Sequence, residues 1–233
     1  RVGSLNRGTG VNYADIVSTS TLTNAPTALT PKFLSVGESS VTARWAALPV
    51  TPSSASSYGY QLEASSTNFN GLGLVYSSVT ASVRESTLTI VDLLSNTTYF
   101  WRVGSLNIHG RVNYTSLNST TTLALPPDNA TIFAAYRTSV TVSWSVPSGG
   151  TNGYRLQASS TNFSAGAIIT SVTTNGNVTR LSALSLMPNT TYYLRVGSLN
   201  QSLEIGNFTS IIDTVTLASP TTFTALSGVW ITS

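Results

Sequence analysis

The sequence repeats itself at long intervals. The hexapeptide RVGSLN stands at Arg1–Asn6, Arg102–Asn107 and Arg195–Asn200, so that successive copies start 101 and 93 residues apart. A second phrase, GYQLEASSTNF at Gly59–Phe69, returns as GYRLQASSTNF at Gly153–Phe163. Separate phrases that keep one long period indicate a tandem array of structural units. A unit of roughly 95 residues is large enough to bury a hydrophobic core of its own.

Within a unit, apolar residues alternate with polar ones. SVTVSW at Ser139–Trp144 places Val140, Val142 and Trp144 on one face and hydroxyl side chains on the other, and SVTARW at Ser40–Trp45 repeats the pattern. Clusters of Pro, Gly, Asn and Ser separate such runs, and no stretch has the period of an amphipathic helix. The sequence therefore predicts two-sheet antiparallel sandwiches made of short strands.

The aromatic residues of the second complete unit follow the order of a known family. Trp144 is followed by Tyr154 and then by LMPNTTYYLRV at Leu186–Val196. This order resembles the fibronectin type III domain, with a Trp on the second strand, a Tyr on the third and an L-x-P-x-T-x-Y corner before the sixth. The resemblance implies that Tyr192 is a corner tyrosine, whose ring is buried while its hydroxyl bonds backbone near the turn.

The first complete unit fits the same pattern with one departure. LLSNTTYFWRV at Leu93–Val103 has Ser95 where the corner proline is usual, but it keeps the corner tyrosine. We therefore predict an all-β chain of tandem immunoglobulin-like (fibronectin type III) antiparallel β-sandwiches. The residues expected to fill the two cores are Trp45, Tyr60, Tyr99, Trp144, Tyr154 and Tyr192.

The repeats divide the chain into four predicted parts. Residues 25–125 and 126–218 are two complete domains, 1–24 are the last strands of a preceding unit, and 219–233 are the first strands of a following unit. The two end pieces together lack the third to fifth strands of a sandwich. A window from a longer repetitive polypeptide is therefore favoured over completion of the end pieces by strand donation between molecules.

The side chains that carry catalysis are few and scattered. There is no Cys, the one His is His109 in a predicted turn, and the eight carboxylates are dispersed. Glu63 has Gln157 as its counterpart, which favours a solvated position over an acid–base role. We predict no enzyme activity, no catalytic residue, no cofactor and no metal site, with a weak calcium site near Asp128 as the alternative.

The charges exclude other classes of function. Only 8% of the residues are charged, against roughly 25% in an average soluble domain. The formal net charge is +3, but there is a single lysine, Lys32, and the arginines are not clustered. A nucleic-acid partner is therefore not expected. No uncharged apolar run approaches the roughly 18 residues of a membrane helix, so this segment is expected to lack a membrane span.

Asn-x-Ser/Thr sequons are numerous. Together with the single lysine and the low charge they fit a secreted or cell-surface protein with a glycosylated surface, and we expect an extracellular location. Glycosylation is possible at Asn96, Asn113, Asn118, Asn129, Asn162, Asn177, Asn189, Asn200 and Asn207.

Two kinds of function remain open. The first is a structural repeat segment of a long extracellular or cell-surface protein, forming a filament or stalk. The resemblance fits such a protein, with a bacterial source expected. Its partners would be neighbouring repeats and further copies, associated laterally or end to end. The alternative is an adhesin or a carbohydrate-binding accessory module, which an exposed aromatic strip repeated between units would favour. Candidate stacking residues are Tyr13, Tyr76, Tyr114 and Tyr136.

Overall fold

The computed structural model describes residues 1–221 of the 233. Within them the chain forms sixteen strands, β1 to β16, and one short 3-10 turn at Ser53–Ala55, without an α-helix. The predicted all-β architecture is confirmed. The predicted strands at 219–233 fall outside the described residues, except for 219–221, which carry no strand.

The first sandwich has one sheet of three strands and one of four. The three-stranded sheet has the order β3 (Thr27–Val36), β4 (Val41–Ala46), β7 (Thr87–Ile90). The four-stranded sheet has the order β6 (Val75–Thr80), β5 (Tyr60–Ser65), β8 (Thr98–Leu106), β9 (Val112–Thr121). Strand β4 pairs antiparallel with β7, and β5 pairs antiparallel with both β6 and β8.

The second sandwich repeats this strand order, again with antiparallel pairs. Its three-stranded sheet has the order β10 (Asp128–Ala135), β11 (Ser139–Ser145), β14 (Arg180–Leu184). Its four-stranded sheet has the order β13 (Ile169–Thr173), β12 (Gly153–Ser159), β15 (Thr191–Leu199), β16 (Ile205–Val215).

The first residues of the chain form a separate hairpin. Strands β1 (Val2–Leu5) and β2 (Val11–Ala14) pair antiparallel, with Gly3 opposite Tyr13. Both strands are exposed along their length. The hairpin therefore has the strand pairing that the sequence predicts for residues 1–24, but it buries no core of its own.

The contacts divide the chain into two compact units. The first comprises Arg1–Ser35, Val41–Val91 and Tyr99–Thr120. The second comprises Val36–Ser40, Asp92–Thr98 and the chain from Thr121 onward. The segments that precede β3 and β10 thus each belong to the unit that follows them. The predicted domain boundaries, which rest on the repeat alone, stay a prediction.

The cores follow from the period-two pattern. Val41, Ala43 and Trp45 alternate on β4 and are fully buried. The six aromatic residues expected to fill the cores are all buried. The second-strand Trp meets the third-strand Tyr in both units, at ring distances of 5.3 Å for Trp45–Tyr60 and 4.8 Å for Trp144–Tyr154. Each large aromatic ring removes about 150–250 Å² from water, so these pairs dominate core stability.

The corner tyrosines lie at the start of β8 and β15. The Tyr192 hydroxyl accepts a hydrogen bond from the backbone N–H of Met187 at 3.0 Å, which satisfies a donor stranded at the turn. The Tyr99 ring packs edge-on against Tyr76, with ring centres 5.7 Å apart. Tyr76, a candidate sugar-stacking residue, therefore lies against the core of the first sandwich.

Candidate functional site: the repeated RVGSLN strand

The repeated hexapeptide lies on a central strand of each four-stranded sheet. It covers the end of β8 and the following turn in the first sandwich, and the end of β15 and its turn in the second. Because side chains alternate across a strand, Val103 and Val196 point into the cores and are fully buried. The arginine before each valine points to the opposite face of the sheet.

Arg102 is enclosed on that outer face by one carboxylate and two aromatic rings. Its Nε and Nη2 atoms both lie 2.7 Å from Glu63 Oε2 on the adjacent strand β5. The guanidinium carbon lies 4.0 Å from the ring centre of Phe69 and 4.0 Å from that of Tyr114. The charge is thus paired in the plane of the guanidinium and stacked above and below it.

Arg195 has the same surroundings without the carboxylate. Its Nε donates to Gln157 Oε1 at 2.8 Å, and its guanidinium carbon lies 4.1 Å from the Phe163 ring and 4.3 Å from the Phe208 ring. The exchange of Glu63 for Gln157 therefore conserves a hydrogen-bond acceptor for the arginine. The expectation that Glu63 is solvated is wrong, since it is only 8% exposed and ion-paired.

The phenol of Tyr114 belongs to this cluster. Burial, followed by the hydrogen bond to Glu63 and the charge of that carboxylate, raises the pKa of Tyr114 to about 12. Tyr114 therefore stays neutral well above its ordinary titration range, and the Glu63 carboxylate keeps its hydrogen bond. Glu63, Arg102, Phe69 and Tyr114 therefore form one cluster of mutual partners on the outer face of the sheet.

The repeated phrase ASSTNF places the phenylalanine over the arginine. Ser65 Oγ accepts hydrogen bonds from the backbone N–H groups of Thr67 and Phe69, both at 3.2 Å. Asn68 and Phe69 adopt the left-handed conformation, with φ of 53° and 56°. The second unit repeats this turn around Ser159. The stacking of phenylalanine on arginine was not predicted from the sequence. The exact repetition of ASSTNF in the two units was the feature that could have indicated it.

The glycine of the hexapeptide permits a close approach between strands. A Cβ on Gly104 would lie 2.8 Å from Tyr114 Cδ1 and would overlap the side chain of Val112. Gly3 faces its hairpin partner Tyr13 in the same way, at 2.9 Å. On Gly197 a Cβ would lie 2.9 Å from Ile205 Cδ1. Because glycine has no side chain, side chains of the neighbouring strand can lie across the sheet face at this position.

The asparagine of the hexapeptide closes the turn that follows. In each copy its Oδ1 accepts two backbone N–H groups, from the residues two and four positions later, at 2.8–3.0 Å. The three asparagines are Asn6, Asn107 and Asn200. This local bonding fixes the side chain in one orientation, with its Nδ2 directed away from the turn.

The free side of Asn107 binds the segment that precedes β3. We name residues 20–26 the first leading segment. Asn107 Nδ2 donates to the carbonyl of Thr21 at 3.0 Å, and Ser105 Oγ, also within the hexapeptide, donates to the carbonyl of Asn24 at 2.5 Å. Two residues of the hexapeptide thus hold the backbone of this segment against the first unit.

Strand β9 adds further contacts to the first leading segment. Asn113 Nδ2 donates to the carbonyl of Thr23 at 2.8 Å, and Thr115 Oγ1 donates to the carbonyl of Pro26 at 2.6 Å. The edge of the four-stranded sheet at β9 is therefore covered by the chain itself.

The second unit holds its own preceding segment through the equivalents of Asn107 and Thr115. We name residues 121–127 the second leading segment. Asn200 Nδ2 approaches the carbonyl of Thr122 at 3.3 Å and that of Thr121 at 3.5 Å. Thr209 Oγ1 on β16 donates to the carbonyl of Pro127 at 2.9 Å. Since Thr122 aligns with Thr21 in the repeat, the two asparagines bind equivalent carbonyls.

The nine sequons have different surroundings. Asn200 is fully buried and Asn96 is 8% exposed, so these two are the least accessible of the nine, and glycosylation there stays a prediction. Asn113 is half-buried, and its amide is bonded to Thr23. Glycosylation stays a prediction at the exposed sequons, where a mass above 24.5 kDa for the secreted chain would support it. These are Asn118, Asn129, Asn162, Asn177, Asn189 and Asn207.

The remaining candidates are dispersed. His109 lies exposed in the turn after β8, and Asp128 lies exposed at the start of β10. Across residues 1–221, no three His, Cys, Asp or Glu side chains come together in a group that could hold a metal ion. No helix in this part of the chain is long and apolar enough to cross a membrane.

Comparison with known proteins identifies the family of the second sandwich. Residues 125–209 match the family model described as the fibronectin type III domain. The second sandwich is a fibronectin type III domain. The first sandwich has the same strand order and carries the same repeated phrases. The predicted tandem arrangement of β-sandwiches is therefore confirmed, and the family match itself covers the second of them.

Solved structures that resemble the chain are also tandem segments of this family. A two-domain fibronectin type III segment from chicken tenascin matches with a TM-score of 0.49 and 19% identity, covering 83% of this chain and 100% of that one. The FN1–FN3 domains of chicken CNTN1 match with a TM-score of 0.37 and 16% identity, covering 83% of this chain and 66% of that one.

Proposed function

We propose that this chain is a non-enzymatic structural segment of a long extracellular or cell-surface protein, in which serial fibronectin type III domains act as a stiff filament or stalk. The observation that carries the proposal is that each unit binds its own leading segment through the repeated hexapeptide. A connection that is bonded along its length cannot act as a flexible tether.

The second leading segment is hydrogen-bonded to the chain at Val36–Ser40 and at Asp92–Thr98, which cluster with it. Thr122 is fully buried, its N–H donates to the carbonyl of Thr97 at 3.0 Å, and its Oγ1 donates to the carbonyl of Leu94 at 2.7 Å. The N–H of Leu123 donates to the carbonyl of Gly37 at 2.9 Å. Ordering this backbone costs about 1–2 kcal/mol per residue, which these bonds help to offset.

The extracellular location in the proposal rests on the surface. Six sequons are exposed, and the 233 residues include a single lysine. A surface of hydroxyl and amide groups with few charges also limits electrostatic repulsion between copies. That property suits a filament or stalk in which many copies lie close together.

A carbohydrate-binding module receives less support from the aromatic residues. The exposed Tyr58 and Tyr136 align with Asn152 and Gly37 in the other unit, so they form no repeated strip. The phenylalanines that do repeat in the ASSTNF phrase stack on arginines. One face of each of these rings is thus occupied by an arginine of the same chain.

Replacing Asn200 with Asp tests the role of the hexapeptide. The variant keeps Oδ1 as an acceptor for the turn, but it loses the amide that faces the carbonyls of Thr121 and Thr122. We expect amide exchange at Thr122 and Leu123 to accelerate roughly tenfold relative to the β12 core amides, as for the loss of one buried hydrogen bond. Residue-resolved hydrogen–deuterium exchange measures this.

Asn6→Asp, at an exposed position, is the control for the turn bonds alone. Asn6 makes the same two turn bonds. Its Nδ2 binds no leading segment among the described residues. We expect its substitution to leave exchange at Thr122 and Leu123 unchanged. Equal exchange rates in wild type and Asn200→Asp would show that the hexapeptide does not hold the leading segment, and the proposed stiff connection would lose its basis.

A further inference from the structure

The two edges of each four-stranded sheet are treated differently. The edge at β9 or β16 is covered through Asn113, Thr115 or Thr209, which bind the leading segments. Among the described strands, the opposite edge, formed by β6 or β13, has a backbone ladder only with β5 or β12, and Ser171 Oγ on β13 also donates to the carbonyl of Ser182 on β14 at 2.7 Å. We name β6 and β13 the open edges.

The open edges lack the devices that usually prevent strand pairing between molecules. Such devices are charges, prolines and very short strands. No charged residue and no proline occurs from 64 to 83 or from 156 to 179. Among the described edge strands of the three-stranded sheets, β3 carries Pro31 and Lys32, β10 carries Asp128, β14 carries Arg180, and β7 has only four residues.

The outward side chains of the open edges are symmetric about their centre. On β6 the outward positions are Val75, Ser77 and Val79, an apolar–hydroxyl–apolar series. The valines are 48% and 59% exposed. In an antiparallel pair of two such strands centred on Ser77, each Val75 lies beside a Val79 and the two Ser77 side chains face each other. The strand is therefore complementary to itself.

The second unit keeps the same pattern with different residues. Its outward series is Thr170 and Val172 on β13 together with Ile168 directly before the strand, and the two apolar side chains, Ile168 and Val172, are 41% and 52% exposed. The pairing of β12 with β13 places Thr170 opposite Gln157, in the same register as Ser77 opposite Glu63. The pattern persists although the sequence differs, which favours a role over coincidence.

We infer that the open edges are self-association surfaces. The partner is a second copy of this chain, whose β6 pairs antiparallel with β6 about Ser77, and whose β13 pairs with β13 about Thr170. Backbone hydrogen bonds across the new pair supply affinity, and the matched apolar side chains fix the register. This inference rests on the proposed structural role and adds the surface through which stalks join side by side.

Single cysteines test the register. The chain has no Cys, so Ser77→Cys introduces a unique thiol. Residues directly opposite in an antiparallel pair have Cα atoms about 4.5–5.5 Å apart, within disulfide range. Val75→Cys is the matched control on the same strand and face, because self-pairing leaves its two thiols about 13 Å apart. We expect the oxidised dimer of Ser77→Cys to form roughly tenfold faster or more.

Charged edge variants test the association itself. We expect the sedimentation coefficient of the full chain to rise with concentration, and V79K combined with V172K to abolish that rise. The control combines V91K with V146K, which replaces valines that are 57% and 41% exposed away from the open edges, and it should associate like wild type. Circular dichroism melts establish that each variant is folded.

A chain that stays monomeric at all concentrations, or equal disulfide rates for Ser77→Cys and Val75→Cys, would overturn the inference. Either result leaves the proposed function standing if amide exchange still shows held leading segments. If the leading segments are not protected from exchange but Ser77→Cys still cross-links faster than Val75→Cys, the proposed function is contradicted and the pairing surface is supported.

Discussion

Replacing Arg102 with Met lowers the free energy of unfolding of the first sandwich by about 3 kcal/mol. Removal of one partner from a buried ion pair costs roughly 3–5 kcal/mol, because the other charge is left without compensation. Glu63, only 8% exposed, would be that charge. The lower end of that range applies here, because the Arg102 side chain is 34% exposed and because Gln61 Nε2 still donates to Glu63 Oε1 at 2.8 Å in the variant.

The second sandwich supplies a matched control within the same chain. Arg195→Met removes two ring stackings and a bond to the neutral Gln157, and it leaves no buried charge. We expect a loss of about 1–2 kcal/mol there. Adding Glu63→Gln to Arg102→Met should reduce the loss of unfolding free energy to that of Arg195→Met. The unpaired carboxylate of Glu63 is then replaced by a neutral amide.

Denaturant titrations measure the two free energies of unfolding separately. Amide resonances of β5 and β8 report unfolding of the first sandwich, and those of β12 and β15 report unfolding of the second. Equal losses for Arg102→Met and Arg195→Met, or no recovery on adding Glu63→Gln, would contradict the ion-pair account. The stacking of the rings would then carry the whole effect.

Gly59→Ala is expected to destabilise the first sandwich by about 2–5 kcal/mol. Gly59 has φ of +132°, a conformation that other residues rarely adopt. A Cβ there would overlap the carbonyl oxygen of Thr80 and would lie 2.8 Å from Ala81 Cα. Backbone strain of about 1–2 kcal/mol adds to an overpacking cost of about 1–3 kcal/mol, since backbone atoms cannot rotate away.

Gly71→Ala separates these two contributions. Gly71 also has a positive φ, of +83°, but a Cβ added there would meet no atom within 4 Å. Its substitution should therefore cost only the strain, about 1–2 kcal/mol. The same resonances of β5 and β8 measure both variants. If Gly59→Ala lowers the free energy of unfolding no more than Gly71→Ala does, the backbone at Thr80 must shift to make room for the added Cβ.

The repeat and the period of two were sufficient to predict the fold. Alternation fixes which residues of β4 and β11 face inward, so Trp45 and Trp144 could be assigned to the cores without coordinates. These assignments depend only on local spacing. The same is true of the turn asparagines, whose neighbours in sequence are their partners.

The arginine stacks and the held leading segments could not be predicted in this way. Phe69 reaches Arg102 only because two residues adopt left-handed φ angles, which the sequence does not encode for non-glycine positions. Asn107 donates to the carbonyl of Thr21, which lies 86 residues earlier in the sequence. Comparison of repeats did reveal that Glu63 and Gln157 are equivalent, but only the geometry shows that both serve as acceptors for arginine.

The hexapeptide therefore acts through four separate features. Its arginine is stacked on the outer face of the sheet, its valine fills the core, its glycine admits the neighbouring strand, and its serine or asparagine holds the leading segment. Each feature serves the architecture of one unit. The central claim is that each sandwich binds the chain that precedes it.

Backbone ¹⁵N relaxation of the wild-type chain at residues 121–127 tests this claim most directly. The account predicts order parameters near those of the strands, about 0.85, at the non-proline positions of the second leading segment. Values below about 0.6 are typical of flexible backbone and would contradict the account. The segment would then be a mobile tether, and the repeated asparagine would serve only to close its own turn.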